Sequence, residues 1–484
     1  MGGTESGAGV VDWGRSVRKQ FFFEKKNQKT FTLQEFGRWL GVTCGHALSD
    51  KSFLFLFFKK ENRPFFSFLS GYCCLDAFDV SIAVPVRVTW AAGAAERRTE
   101  ATLAARSTIR RGFSQSTDPV VAVTELYAAL KQPDIAIVVF FCSAAYDLPA
   151  LAAELRRQFA GACLVGCTTA GEITPVGYQD GSITGFSIGG PGSRAVTTRI
   201  DCLGDCPISA GFLASEELMS RFAQGGPPVN ETNTFGLLLI DGMSAREEVV
   251  VSTIHWGMGA IPLLGGSAGD DMRLSNTFVF HEGEFRTNAA LLTLVQIDAP
   301  FRTFNTKHFR GTDEKLVVTK ADPERRLVLE LNAAPAATEY ARIVGCKVNE
   351  LSAEIFGERT LMVKIGGEYY VRSIQKTAAD GSLTFYSAIE RGVVLTLATP
   401  GDLIEDLREM FATLRQDIGP PQLVIGFDCV LRGLEMERRQ ARHLASRIMA
   451  DNNVVGFATY GEQYHAMHLN QTFTGVAIGH AAMQ

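Results

Sequence analysis

The chain has 484 residues, of which 46% are hydrophobic and 20% charged, with a formal net charge of −5. Such a composition fits two or three soluble globular domains and excludes a disordered or collagen-like chain. The acidic balance, with a pI near 6.0, gives no general attraction to polyanions, so no nucleic-acid partner is expected.

Ten cysteines are scattered along the chain without a C-x-x-C pair or an accompanying histidine cluster. Reduced, buried thiols and a cytoplasmic location are the expected reading. The first 95 residues differ from the rest: 12 of the 33 phenylalanines fall between Phe21 and Phe68, and "FLFLFF" occupies 53–58. That run is far shorter than the roughly 20 residues of a spanning helix, so no transmembrane segment is expected. Lacking helical or strand periodicity, residues 1–95 read as a poorly structured extension, with a membrane-surface or partner-binding segment as the alternative.

From about residue 120 the pattern is α/β. "IAIVVFF" at 135–141 is a continuous β-branched and aromatic run, expected as a strand buried on both faces. Leu148, Leu151, Ala152, Leu155 and Phe159 then form one apolar helical stripe, and "ACLVG" a short strand. A second series starts at "FGLLLI" (235–240), with Val250, Ile254 and Met258 on one helical face. A third starts at "QLVIGFDCV" (422–430) and passes through "LEMERRQARHLASRIMA", read as one basic amphipathic helix. Between these series, "DPERRLVLELNAAPAATEYARIVG" predicts strand, turn and helix, and "GGEYYVRSIQKTAADGSLTFYSAI" two strands joined at Asp380-Gly381.

Each series leads into a glycine-punctuated segment: "VGCTTAGE" (165–172), "LGGSAGDD" (264–271) and "VGFATYGE" (455–462). An apolar strand follows each one. The fold class is therefore α/β, a two-domain mixed-sheet protein with an internally repeated strand-helix-strand-Gly turn unit. The segments are not phosphate loops, since they lack a lysine and end in a carboxylate. Cys142 and Cys167 are weak candidates for a thiol nucleophile, because Gly266 and Phe457 stand at the position of Cys167 in the other copies. The turns lie at strand carboxyl ends, where α/β sheets collect ligands. Candidate ligand-binding residues are Gly166, Thr168, Thr169, Gly171, Glu172, Gly265, Ser267, Asp270, Tyr460, Glu462 and Asn470. Glu172 and Glu462 are also expected to fix their own turns by accepting backbone N–H bonds.

"VVFFCSAAYD…LVGCTTAGEITPVGY" with "PLLGGSAGDD" resembles the N-terminal domain of the FIST family of bacterial signal-transduction proteins. "LELNAAPAATEY", "VIGFDCVLRG" and "GFATYGEQYHAMHLNQTFTGVAIG" resemble its FIST C domain. The resemblance implies a FIST N-like sensory domain over 96–325 and a FIST C-like domain over 326–484. It also implies a cytoplasmic sensor that binds a small molecule, such as an amino acid, and regulates a separate signalling partner. That partner would be a histidine kinase or a cyclic-di-nucleotide enzyme. Two alternatives remain open at this level: a haem-bound nitric-oxide sensor using His465 and His468, and a thiol- or carboxylate-dependent hydrolase or transferase.

Overall fold

The computed structural model describes residues 107–480, together with the backbone of two short strands nearer the N-terminus. Those strands, β1 (Leu56–Lys60) and β2 (Arg63–Ser67), pair antiparallel with Phe57 opposite Phe66. They belong to a compact unit, Met1–Val88, distinct from Thr89–Gln484. The remainder of the expected 1–95 extension lies outside the described residues.

The larger unit begins with β3 (Thr108–Ser114), α1 (Pro119–Leu130), β4 (Ile135–Ser143), α2 (Leu148–Gln158) and β5 (Leu164–Thr169). A hairpin, β6 (Glu172–Thr174) and β7 (Gly177–Gln179), and then β8 (Ile183–Gly189) complete this segment. The helices start where the sequence supplies both a cap and a proline. Asp118 accepts from the N–H groups of Val120 and Val121 at 2.8 and 2.9 Å, and Asp147 accepts from that of Ala150 at 3.1 Å.

The order recurs in β9 (Arg194–Asp201), α3 (Ala210–Ala223), β10 (Thr234–Ile240), α4 (Glu247–Met258) and β11 (Leu263–Ser267). The hairpin β12 (Val279–His281) and β13 (Glu284–Arg286) and the strand β14 (Ala289–Gln296) follow. A third segment opens with β15 (Phe301–Asn305) and is interrupted by an insertion.

The insertion contains β16 (Phe309–Asp322), β17 (Leu327–Leu331), β18 (Ala334–Pro335), α5 (Ala336–Val344) and α6 (Ala353–Glu358). It continues with β19 (Leu361–Ile365), β20 (Glu368–Arg372), β21 (Ile374–Thr377), β22 (Leu383–Phe385) and β23 (Val394–Pro400). The third segment resumes with α7 (Leu403–Ile418), β24 (Leu423–Cys429), α8 (Val430–Arg438), α9 (Arg442–Asp451) and β25 (Val454–Thr459). It closes with the hairpin β26 (Glu462–Tyr464) and β27 (Met467–Leu469), then β28 (Phe473–Ile478).

Three six-stranded sheets result, ordered β13-β12-β5-β4-β8-β3, β27-β26-β11-β10-β14-β9 and β7-β6-β25-β24-β28-β15. In each, two central strands run parallel and an antiparallel strand flanks them. The outer hairpin always comes from another segment: β12–β13 joins β5, β26–β27 joins β11, and β6–β7 joins β25. Each sheet is therefore completed by a hairpin from another segment.

The central strands are buried on both faces, for two reasons. Ile137, Val139 and Phe141 join Leu237, Leu239, Ile425, Phe427 and Phe457 in one core shared by all three sheets. Val138, Phe140 and Cys142 face the other way, against α1 and α2.

Two expectations needed correction. The basic helix over 434–450 is two helices, α8 and α9, because Gln440 takes a left-handed φ of 55° and turns the chain. No glycine marks that break. In the insertion, "EYYVRSIQKT" is not one strand. β20 and β21 lie at opposite ends of the order β20-β19-β23-β16-β17-β22-β21, although only Ser373 separates them in sequence. The sheet must curl for one residue to link its two edges, and Arg372 and Ser373 sit at that closure.

Candidate functional site

Gly166, Gly265 and Gly456 lie within strands rather than turns. Threonines and small residues keep these segments extended, and the glycines answer a different need. A Cβ at each would meet the carbonyl oxygen of the adjacent central strand, that of Phe140 at 2.5 Å, Leu238 at 1.9 Å and Gly426 at 1.7 Å. The first glycine of each segment is thus a point of close approach between two parallel backbones. Gly171 is a turn residue, with φ of 128°.

The three strand ends bond directly to one another. Ala170 N donates to Ala458 O at 3.0 Å and Ala458 N to Gly171 O at 2.8 Å. Gly269 N donates to Thr168 O at 3.0 Å, and Ser267 N to Gly461 O at 2.8 Å. Most of the candidate side chains serve this junction. Thr168 accepts from Phe278 N at 3.0 Å, and Thr169 donates to Cys142 O at 3.2 Å and to the Glu172 carboxylate. Glu172 also accepts from Ser182 N and Oγ at 2.9 and 2.7 Å. Glu462 receives the same pair from Thr472, at 3.1 and 2.6 Å. Burial nevertheless pushes Glu172 up to about 7, with the Asp271 charge adding to the effect, and burial raises Glu462 well above the carboxylate range.

Asp270 organises the longer middle loop. Its carboxylate accepts from the N–H groups of Leu274, Ser275 and Asn276 at 2.8, 2.7 and 2.9 Å. The Tyr460 hydroxyl donates to it as well. These bonds hold Asp271, Met272 and Leu274 at φ of 54°, 65° and 53°, a conformation that non-glycine residues rarely adopt. The bonded form is the charged one, so the Asp270 pKa is lowered despite desolvation. Tyr460→Phe should cost about 2 kcal/mol of unfolding free energy, the scale of a hydrogen bond to a charged acceptor. Chemical denaturation of the variant checks this.

Beside the junction, Ser267, Asn470 and His468 enter a polar cluster where the insertion meets the three-sheet body. Arg326 of the insertion pairs with Glu247 and Glu248 at the start of α4, at 2.7 and 2.9 Å. Ala388 N donates to Glu248 at 2.9 Å. Ser373 Oγ donates to Gln471 at 3.0 Å and Ser387 Oγ to Asn470 Oδ1 at 2.6 Å. Gln463 Nε2 donates to Ser267 Oγ at 2.9 Å and faces His468 Nδ1 at 3.5 Å. Burial lowers the His468 pKa to about 4, so its ring is neutral. Asn470 Nδ2 and Gln463 Oε1 are buried without a partner among the described residues. Arg372 donates only to its own neighbour, Val371 O, at 3.0 Å, and no carboxylate lies within ion-pair distance of it among the described residues.

Sequence reasoning missed Arg372, Glu248 and Gln463. It also missed a buried chain at the neck of the insertion. The Tyr178 hydroxyl donates to Asp428, Arg432 Nε donates to Asp428 at 2.6 Å, and Arg432 Nη1 donates to His308 Nδ1 at 3.1 Å. That assigns the His308 proton to Nε2, which faces Glu435 at 2.9 Å. The i,i+4 spacing of Asp428 and Arg432 was the available signal. Gly401 N donates to His308 O at 2.6 Å, which ties the entering and leaving strands of the insertion together.

The histidine pair does not fit haem. An axial ligand needs a free imidazole nitrogen beside an apolar slot. The charges acting on His468 are those of Glu248, Arg326 and Arg372, and its ring fills the space beside Gly461. His465 meets Tyr464 and His255 edge to face, with ring centroids at 4.4 and 5.9 Å. Cys142 and Cys167 are buried thiols whose pKa values burial raises well above normal. No hydrogen bond joins either thiol to a histidine among the described residues.

No helix among the described residues is long and apolar enough to cross a membrane. No curated protein matches the chain. A FIST N domain model matches residues 136–334 and a FIST C domain model residues 336–465, together about two thirds of the chain. With both domain models matched in order along it, the chain belongs to the FIST family.

Proposed function

We propose that this protein is a small-ligand sensor that regulates a separate signalling partner, a histidine kinase or a cyclic-di-nucleotide enzyme, in the cytoplasm. FIST domains are associated with sensory signal transduction. The observation that carries the ligand-binding reading is the pair of buried, unpartnered polar atoms at the junction, Asn470 Nδ2 and Gln463 Oε1. Buried polar groups are costly when unpaired, and a ligand or water must meet them. The proposed division into a FIST N-like part (96–325) and a FIST C-like part (326–484) puts Glu248 and Ser267 on one part. Arg326, Arg372, His468 and Asn470 fall on the other.

A ligand bridging these residues favours one arrangement of the insertion on the body, and a partner that prefers the same arrangement receives the signal. Gly166, Thr168, Thr169, Gly171, Glu172, Gly265, Asp270, Tyr460 and Glu462 shape the junction that supports the site, while Ser267 and Asn470 belong to the polar cluster itself.

Thermal denaturation of the full chain against amino acids, organic acids and nucleotides tests the reading. At least one class should raise the midpoint in a concentration-dependent way, because a ligand of the native state stabilises by mass action. A flat response across the whole panel would overturn it.

A further inference from the structure

We infer that His255 and His465 together bind one late first-row transition-metal ion, of the Zn2+ or Ni2+ class, where the β26–β27 hairpin meets α4. The inference is independent of the ligand-binding reading above and uses neither Asn470 nor Gln463.

The two histidines come from distant parts of the chain. His255 lies in the last turn of α4, and His465 is the first residue of the two-residue turn between β26 and β27. Pairing of Leu264 with Tyr464, and a bond from His465 N to Leu263 O at 2.7 Å, seat that turn beside β11. The imidazole rings then stand edge to face with their centroids 5.9 Å apart. His465 takes a φ of 53°, at a position where hairpin turns favour glycine. The corresponding turns of the other two hairpins are Pro175-Val176 and Glu282-Gly283, so the repeat does not itself call for a histidine there.

The separation suits a shared ion. A metal about 2.0–2.1 Å from one nitrogen of each ring lies about 3.2 Å from each ring centre. The two centres are then about 5.2 Å apart at a tetrahedral angle and about 6.4 Å apart at most. The observed 5.9 Å falls inside that range, so the backbone can stay where it is and only ring rotation is required.

The nitrogens are also available. Neither ring makes a hydrogen bond among the described residues, and His255 Nδ1 is buried without a partner. Both residues are half-buried, so an ion can reach them from solvent. Burial lowers both pKa values, that of His255 to about 4 with the His465 charge adding to the effect. At neutral pH both rings are neutral imidazoles, the form that ligates metal, and no proton has to be displaced.

Ligand type sets the choice of ion. Imidazole suits zinc, nickel and copper, whereas Mg2+ and Ca2+ require oxygen ligands. No group of three or more metal-ligating side chains occurs among the described residues, so water fills the remaining positions and the ion is exchangeable. His255 belongs to the second segment and His465 to the third. A bound ion therefore fastens the hairpin to the segment that receives it, three residues before His468 of the polar cluster.

The test titrates the chelator-treated full chain with Ni2+, Zn2+ and Mg2+ by calorimetry, and reads the thermal midpoint alongside. The wild type, His255→Ala, His465→Gly and the exposed-site control His443→Ala are compared. Glycine suits the left-handed φ of residue 465, so His465→Gly keeps the fold and the test stands even where His255→Ala destabilises α4. The wild type and His443→Ala should bind Ni2+ or Zn2+ and gain stability, with no response to Mg2+. His255→Ala and His465→Gly should each weaken that binding by at least about tenfold, since each removes one of two ligands. Unchanged Ni2+ and Zn2+ affinity in folded His465→Gly, an equal response to Mg2+, or no binding by the wild type would overturn the inference.

Discussion

Gly456→Ala should destabilise the protein by about 4 kcal/mol or more, a large effect for a single added methyl group. The Cβ would sit 1.7 Å from the carbonyl oxygen of Gly426, which is backbone and cannot rotate away. Separation of the strands is blocked from both sides, because β25 is also bonded to β6 and β24 to β28. Overpacking of side chains in a core usually costs about 1–3 kcal/mol. Here the ladder itself would have to open. Gly265→Ala, with its Cβ 1.9 Å from Leu238 O, should behave alike. Gly433 in α8 has nothing within 4 Å of its Cβ position, so Gly433→Ala should be neutral or mildly stabilising. Urea unfolding of the three variants checks the ranking, and a Gly456→Ala protein of wild-type stability would refute the close-approach account of the repeated glycine.

The second large effect concerns Glu172. Its folded pKa is pushed up to about 7 by burial, while the unfolded value stays near the ordinary one. The folded state therefore holds this proton more tightly. The stability that Glu172 contributes is fully present below the unfolded pKa and declines as pH rises toward about 7, by about 3 kcal/mol in all. Glu172→Gln cannot titrate. The difference in unfolding free energy between variant and wild type should thus move in the variant's favour by about 3 kcal/mol between about pH 5 and pH 8. The difference is the informative quantity, because burial holds His255 and His468 down at about 4. Those two lose stability as pH falls through the same range. A pH-independent difference would show that Glu172 is ionised throughout.

The glycine segments show how far local reading reaches. Their spacing and their trailing acid were visible in the sequence, and the acids accept the N–H and hydroxyl groups ten residues onward. Placing Gly166 in a turn was wrong for a specific reason. A glycine needed for backbone approach and a glycine needed for a turn look the same in one sequence. The polar cluster was only partly legible. Ser267, His468 and Asn470 stood out because they flank the glycine segments. Arg372 did not, since nothing near it in the chain marks the strand break at Ser373.

By itself, the sequence determined the α/β class, the central strands and most helices. Continuous apolar runs, 3.6-residue stripes and Asp-Pro caps act within a dozen residues, so they can be read locally. Only the tertiary structure decided which hairpin completes which sheet, and that Ser373 meets Gln471, 98 positions away. Hairpin strands of three residues carry too few side chains to specify a partner. Their pairing is settled by whichever sheet edge the packed core leaves open.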